Sequence, residues 1–273
     1  MPGKRWTRKD RATDRGRDQE EKRAMTVEEI LDELRFYGEG EFPRTALEQA
    51  IAKKEEITPE LLRIIEEAAE DPEDLPDGYM LLTYAMFLLA QFREERAYPV
   101  IVDLVSVPGE IVMDLCGDTV TEDLGRILAS VSGGDPSLMK SLVEDEEANE
   151  YVRSAAVTGL VSLVVSGDLA REELIDYLRR VFQMEIPRGK AIVWAALVSA
   201  ALDLYPEELY EDIKEAYAND RVASDFVRLD SVERTLSKGR REVLRATRED
   251  LHHHLVEDAV EEMAWWACFE GSG

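Results

Sequence analysis

Cysteine, histidine and lysine are all scarce in this chain, and each shortage closes off a class of answer. Cys116 and Cys268 are its only cysteines. Two cysteines cannot build a disulfide framework or a four-cysteine zinc site, so a reducing, cytoplasmic compartment is the expectation. The three histidines are consecutive, His252, His253 and His254. Lysine numbers 9 against 24 arginines. The longest run without a charged residue is residues 78–92, fifteen in all. That is short of the roughly 18–20 needed to span a bilayer, and no membrane partner is expected. Lys4, Arg5, Arg8 and Lys9 open the chain with no apolar segment after them, which argues against a secretory signal. Strand signals are nearly absent; even Val164-Val165 sits inside a helical period. The sequence contains no G-x-x-x-x-G-K-[ST], no G-x-G-x-x-G after a strand, no G-x-S-x-G and no H-E-x-x-H, which weighs against the commonest enzyme classes and implies no cofactor.

What is plentiful is apolar helix and negative charge. Of 273 residues 45% are hydrophobic, enough for a continuous core, and the net charge is −26. Residues 1–23 hold nine Lys/Arg and five Asp/Glu, net +4, so the rest holds 24 basic and 54 acidic residues, net −30. A high-salt source or Glu-rich solvated helix faces would both account for that excess. Either way it disfavours duplex DNA or an anionic membrane across the whole surface and favours a basic partner.

Four stretches share one pattern: an apolar helix rich in small residues, a short turn, then an amphipathic helix. Leu88, Ile127, Leu160 and Leu197 occupy matching places in the first helix of each, at intervals of 39, 33 and 37 residues. In the third stretch Val152, Ala155, Ala156, Leu160, Leu163 and Val164 fall at i, i+3, i+4 spacing, and Gly167-Asp168 turns the chain. Recurrence at this period predicts an all-α fold, a HEAT/ARM-like α-solenoid of stacked antiparallel helix pairs in which each pair buries its face against neighbours.

The organisation read from the sequence is a mobile basic arm over 1–24, N-terminal helices over 25–76, about four helix pairs over 77–220, and a C-terminal helical cap over 221–273. Thr26-Val27-Glu28-Glu29 reads as a capping box. Thr58-Pro59 reads as the start of a helix, and Asp230-Ser231-Val232-Glu233 as another cap box.

Several stretches carry a family likeness: Ile57-Thr58-Pro59-Glu60-Leu61-Leu62, Leu88-Leu89-Ala90-Gln91-Phe92-Arg93, Gly117-Asp118-Thr119-Val120-Thr121-Glu122-Asp123-Leu124, and Glu261-Glu262-Met263-Ala264-Trp265-Trp266-Ala267-Cys268-Phe269. Over most of 38–269 the chain resembles a mostly bacterial family known as domain of unknown function 1186. The resemblance implies a HEAT-like helical-repeat fold and no established activity. Some relatives continue into a Cys-rich, zinc-binding tail whose cysteines this sequence does not contain.

Asp118, Thr121, Glu122, Asp123 and Arg126 form a compact polar cluster, readable as a ligand or metal site or as helix capping by Asp118 or Thr121. Arg234, Lys238, Arg241, Arg245 and Arg248, spaced 4, 3, 4, 3, form one basic stripe if a helix runs through Gly239; the stripe would face phosphate, nucleic acid, an acidic partner or the protein's own carboxylates. The three histidines fan out on a helix and cannot all meet one metal. Trp265 and Trp266 point ~100° apart on a helix, so one is expected on the last repeat and the other over a groove or a partner. Cys268 has no His–acid arrangement nearby to make it a nucleophile.

The leading functional expectation is a non-enzymatic scaffold binding a protein or peptide, a basic one given the acidic surface, with oligomeric state open. The alternatives are an enzyme or accessory factor holding a small molecule or metal near residues 118–126 or 252–254, and nucleic-acid contact through the basic arm and the Arg stripe, which the acidic body disfavours.

Overall fold

The computed structural model describes residues 23–36, 42–76, 78–184, 191–222 and 224–266. The arm at 1–22, Gly38 and Gly40, and Cys268 lie outside them. Among the described residues the secondary structure is helical, with one isolated bridge between Phe36 and Tyr79. None of these helices is long and apolar enough to cross a membrane.

The chain opens with α1 (Val27–Leu34), α2 (Arg44–Ala52) and α3 (Lys54–Glu70). The capping box at α1 forms as read: the Thr26 hydroxyl accepts from the Glu29 amide at 3.2 Å, and the Thr26 amide donates to the Glu29 carboxylate at 2.9 Å. Thr58-Pro59 does not start a helix. The break falls at Lys53, and Pro59 lies inside α3, where the Thr58 hydroxyl donates to the Lys54 carbonyl at 2.7 Å.

Next come α4 (Leu81–Phe92) and α5 (Ala97–Val105), then two short helices, α6 (Ile111–Cys116) and α7 (Asp118–Glu122). The remaining pairs are α8 (Leu124–Val131) with α9 (Ser137–Glu144), α10 (Glu150–Ser166) with α11 (Arg171–Phe182), and α12 (Ala191–Asp203) with a 3-10 turn (Pro206–Leu209) leading into α13 (Tyr210–Ala218). The first helices form a row in which α4 packs on α8, α8 on α10 and α10 on α12. The four registered residues Leu88, Ile127, Leu160 and Leu197 are each 0% exposed. Every residue of α4 except Gln91 is buried. An apolar helix of that kind needs neighbours on all sides, and α4 has α3 on one flank and α8 on the other.

The second helices tie successive units together. Against α5 and α10 leans α9; against α10 and α12 leans α11, which also meets α13. Side chains reinforce these contacts. The Tyr98 hydroxyl of α5 accepts from the Met139 amide in the first turn of α9 at 2.9 Å, serving as a cap from another unit. The Tyr177 hydroxyl of α11 donates to the Lys140 carbonyl at 3.1 Å. The buried Arg171 guanidinium makes two parallel bonds to Glu208, at 2.9 and 2.8 Å, and donates to the carbonyls of Leu204 and Tyr205.

The last part of the chain comprises α14 (Leu229–Lys238), α15 (Arg240–Glu249), a 3-10 turn (Leu251–His253) and α16 (Ala259–Met263). Asp230 sits in the first turn of α14 after Arg228, so the expected cap box there does not form. While α15 packs on α12, the 3-10 turn packs on α10 and α16 packs on both α2 and α4. Residues 254–266 thus run back along the row as a strap and end beside the N-terminal helices, where the Glu261 carboxylate accepts from Arg44 at 2.7 Å.

Candidate functional site

The interval of 39 residues between the first two registered positions is the longest because α6 and α7 are inserted there. Gly117 joins them at φ 51, ψ −136, in the left-handed region that favours glycine. The reversal leaves α6 and α7 side by side, and together they wall a cavity of about 800 Å³.

One wall is Tyr79, Met80, Leu82 and Thr83 at the start of α4. The lining also takes Asp114, Leu115 and Cys116 of α6 and Asp118, Thr119 and Glu122 of α7, followed by Asp123. Pro72, Leu75 and Pro76 close another side, and Trp265 and Trp266 of the strap complete the lining. Tyr79 is anchored by the bridge to Phe36, whose ring it meets edge-on at 6.1 Å. Trp266 packs edge-on against Phe87 of α4 at 5.4 Å. Trp265 is 67% exposed.

Four carboxylates line this cavity, and among the described residues no Lys or Arg does. Asp114, Asp118 and Glu122 make no ion pair with any described residue. Asp123 lies deeper. Its Oδ1 is 3.2 Å from Nη1 of Arg126, whose Nη2 is 2.8 Å from Oε2 of Glu262. These three side chains are only 12–22% exposed. Burial raises the Asp123 carboxyl to about 6, with Arg126 opposing that shift and Glu262 and Glu122 adding to it. Burial pushes the Cys116 thiol up to about 12, which leaves it protonated and a poor nucleophile at neutral pH.

Arg126 also fastens the strap, its Nε donating to the His254 carbonyl at 2.6 Å. Beside it, the Val256 amide donates to the Ser130 hydroxyl at 2.9 Å and Arg93 donates to the Val256 carbonyl at 2.7 Å. Further along, the Ala259 amide donates to the Gln91 side chain at 2.9 Å. Helix side chains therefore satisfy the strap's backbone.

The structure brings together two groups that the sequence keeps 142–148 residues apart: Asp118, Glu122 and Asp123 on one hand, Trp265 and Trp266 on the other. Thr121 does not line the cavity; its hydroxyl donates to the Asp118 carbonyl at 3.1 Å. Neither Asp118 nor Thr121 caps α8. Asp123 precedes α8, and its side chain turns to Arg126 instead of the helix amides. Trp266 packs on Phe87 of α4 rather than on the last helix pair, because the strap returns there.

The Arg stripe is divided. Gly239 at φ 86, ψ 144 separates α14 from α15, so Arg234 and Lys238 lie on one helix and Arg241, Arg245 and Arg248 on the next. Arg234 pairs with Asp230 at 3.5 Å and Arg245 with Glu249 at 3.9 Å, both exposed. The histidines lie in and after a 3-10 turn and face three partners: His252 the Asp250 carboxylate, His253 the Asp203 carboxylate at 3.3 Å, and His254 the Arg248 carbonyl. Among the described residues no three His, Cys, Asp or Glu side chains are grouped as metal ligands.

Sequence reasoning missed Tyr79, Asp114 and Glu262. Asp114 stands four residues before Asp118, and Glu262 lies within a stretch bearing the family likeness, so both had a signal; Tyr79 had none.

A family described as "Protein of unknown function (DUF1186)" matches residues 25–270. A protein of Chlamydia trachomatis serovar D, described as "Uncharacterized protein", is 38% identical over 249 residues, covering 89% of this chain and 96% of its own length. A protein of Chlamydia muridarum with the same description is 38% identical over 249 residues, covering 89% and 97%. No solved structure matches this chain.

Proposed function

The chain belongs to the DUF1186 family, whose description assigns no activity, and we propose from its geometry that it is a non-catalytic helical scaffold that binds a basic segment of a protein partner. The row of first helices α4, α8, α10 and α12, with second helices bridging successive units, supports reading the fold as a HEAT-like α-solenoid. The single observation that carries the function is the cavity, where Asp114, Asp118, Glu122 and Asp123 face an opening that no Lys or Arg of the described residues lines. Unmatched charge of one sign repels phosphate and attracts a basic chain, and salt weakens the attraction. A cytoplasmic setting is part of this reading.

Capture from the native cell tests it, with the wild type compared with Asp114→Asn/Asp118→Asn/Glu122→Gln at low and high salt. A partner held by the wild type at low salt, and lost with either high salt or the substitutions, supports the scaffold. Capture unaffected by both overturns it.

The cavity volume also falls in the range of small-molecule sites, about 300–1,000 Å³. An accessory factor carrying a small molecule is therefore a second reading, and native mass spectrometry of the purified protein distinguishes it by an added mass.

A further inference from the structure

Resting on that reading, we propose that the cavity recognises one particular group: an alkylammonium carried on an apolar stem, of the lysine side-chain type, with the Trp265 indole as its outer wall.

Three independent features of the cavity converge on this chemistry. The first is charge. Asp114, Asp118 and Glu122 make no ion pair with any described residue and share one cavity lining, whereas Glu208 and Glu262 are matched by arginines. A cation entering here meets three carboxylates that no Lys or Arg of the described residues engages. The second is the apolar remainder of the lining. Met80, Leu82 and Leu115 give the same lining apolar surface, which suits a methylene stem rather than a hydrated ion. Among the described residues no three ligands are grouped for a metal, and a divalent cation needs such convergence. The third is aromatic. Tyr79, Trp265 and Trp266 lie on the lining, and an ammonium over an indole or phenol face is attracted by the ring quadrupole. An indole left 67% exposed at a cavity wall keeps apolar surface in water until something covers it.

A lysine residue within a peptide and a free alkylamine share this chemistry. The partner reading favours the peptide, and the test separates the two.

Tryptophan fluorescence titrations would use Nα-acetyl-lysine amide, its Nε-trimethyl derivative, Nα-acetyl-norleucine amide as the uncharged match, butylamine as the free amine, and magnesium and calcium chloride. The expected result is saturable quenching by both lysine probes and none by norleucine or the metals. Trp265→Ala should abolish most of the signal, and isothermal titration should give an affinity about tenfold weaker for that variant. Asp114→Asn/Asp118→Asn/Glu122→Gln alters exposed side chains that make no ion pair with any described residue, so it should stay folded by circular dichroism and lose the lysine probes. Butylamine binding as tightly as acetyl-lysine amide would support the ammonium site and shift its source to free amines. Norleucine binding equal to lysine, failure of both lysine probes, or lysine binding that survives both variants would each overturn the proposal. Failure of the lysine probes with cavity-dependent protein capture would defeat this inference alone. Lysine binding with no captured protein would support it and defeat the scaffold reading.

Discussion

Arg126 in α8 and Glu262 in α16 stand 2.8 Å apart, guanidinium nitrogen to carboxylate oxygen, across 136 residues of sequence. The same guanidinium reaches Asp123 at the cavity and the His254 carbonyl of the strap. One side chain therefore fixes both the deepest acid of the site and the segment that carries its tryptophans.

Replacing Arg126 with Met should strand two partly buried carboxylates. Removing one partner of such a group costs about 3 kcal/mol or more. Urea denaturation should register that loss. Amide exchange should quicken across residues 254–266 and far less in α10. Unchanged exchange in the strap would mean that Arg126 does not hold it.

Gly125 of α8 and Gly159 of α10 face each other where the row is tightest. A Cβ on Gly125 would lie 2.5 Å from the Ala155 carbonyl oxygen and 2.9 Å from the Gly159 nitrogen. One on Gly159 would lie 2.7 Å from the Gly125 oxygen and 2.6 Å from the Met139 sulfur. Backbone atoms cannot step aside cheaply, so Gly125→Ala and Gly159→Ala should each cost about 2–3 kcal/mol in denaturant midpoints. A neutral result at Gly125 would contradict the α8–α10 packing.

Asp123 and Glu208 should drive stability in opposite directions with pH. The folded Asp123 carboxyl titrates at about 6, above its ordinary 3.8. Between those values the folded state holds more protons than the unfolded one, so acidification stabilises it. The wild type should therefore gain stability relative to Asp123→Asn as pH falls from about 7 to about 4. Glu208, held below its ordinary 4.5 first by its bonds to Arg171, stabilises the fold above that value. Its contribution is lost as pH falls through the lowered value, and Glu208→Gln should remove the dependence. Carbon-detected carboxyl titrations locate both midpoints.

The Cys116 thiol, buried and raised to about 12, should resist alkylation at neutral pH. In a Cys268→Ser background, iodoacetamide should label Cys116 in urea and leave it nearly untouched in buffer. Rapid labelling in buffer would place the thiol in an open site.

Much of the helical framework was legible because it depends on local periodicity. Leu88, Ile127, Leu160 and Leu197 registered the four first helices, and the cap at Thr26 and the turn at Gly167 followed from side-chain chemistry and left-handed backbone. Pro59 misled because the helix already begins at Lys54, so the proline falls in its second turn, where it costs the amide bond to the Glu55 carbonyl and the helix continues past it. Gly239 misled in the other direction, since its positive φ splits what charge spacing alone joins. The acids at 118–123 and the paired tryptophans were both singled out, but their meeting was not legible. It depends on the strap returning to α4, and the signals for that, Ser130, Gln91 and Arg93 accepting or donating to strap backbone, look like ordinary helix-surface residues in the sequence.

Photo-crosslinking tests the central claim most directly. A benzoylphenylalanine at Glu122, on the cavity, is compared with one at Asp176, an exposed position on α11, in the native cell. The account predicts crosslinks to a partner from position 122 alone, mapped by mass spectrometry to a Lys- or Arg-bearing segment and lost at high salt. Equal crosslinking from both positions, or a partner segment without basic residues, would contradict it.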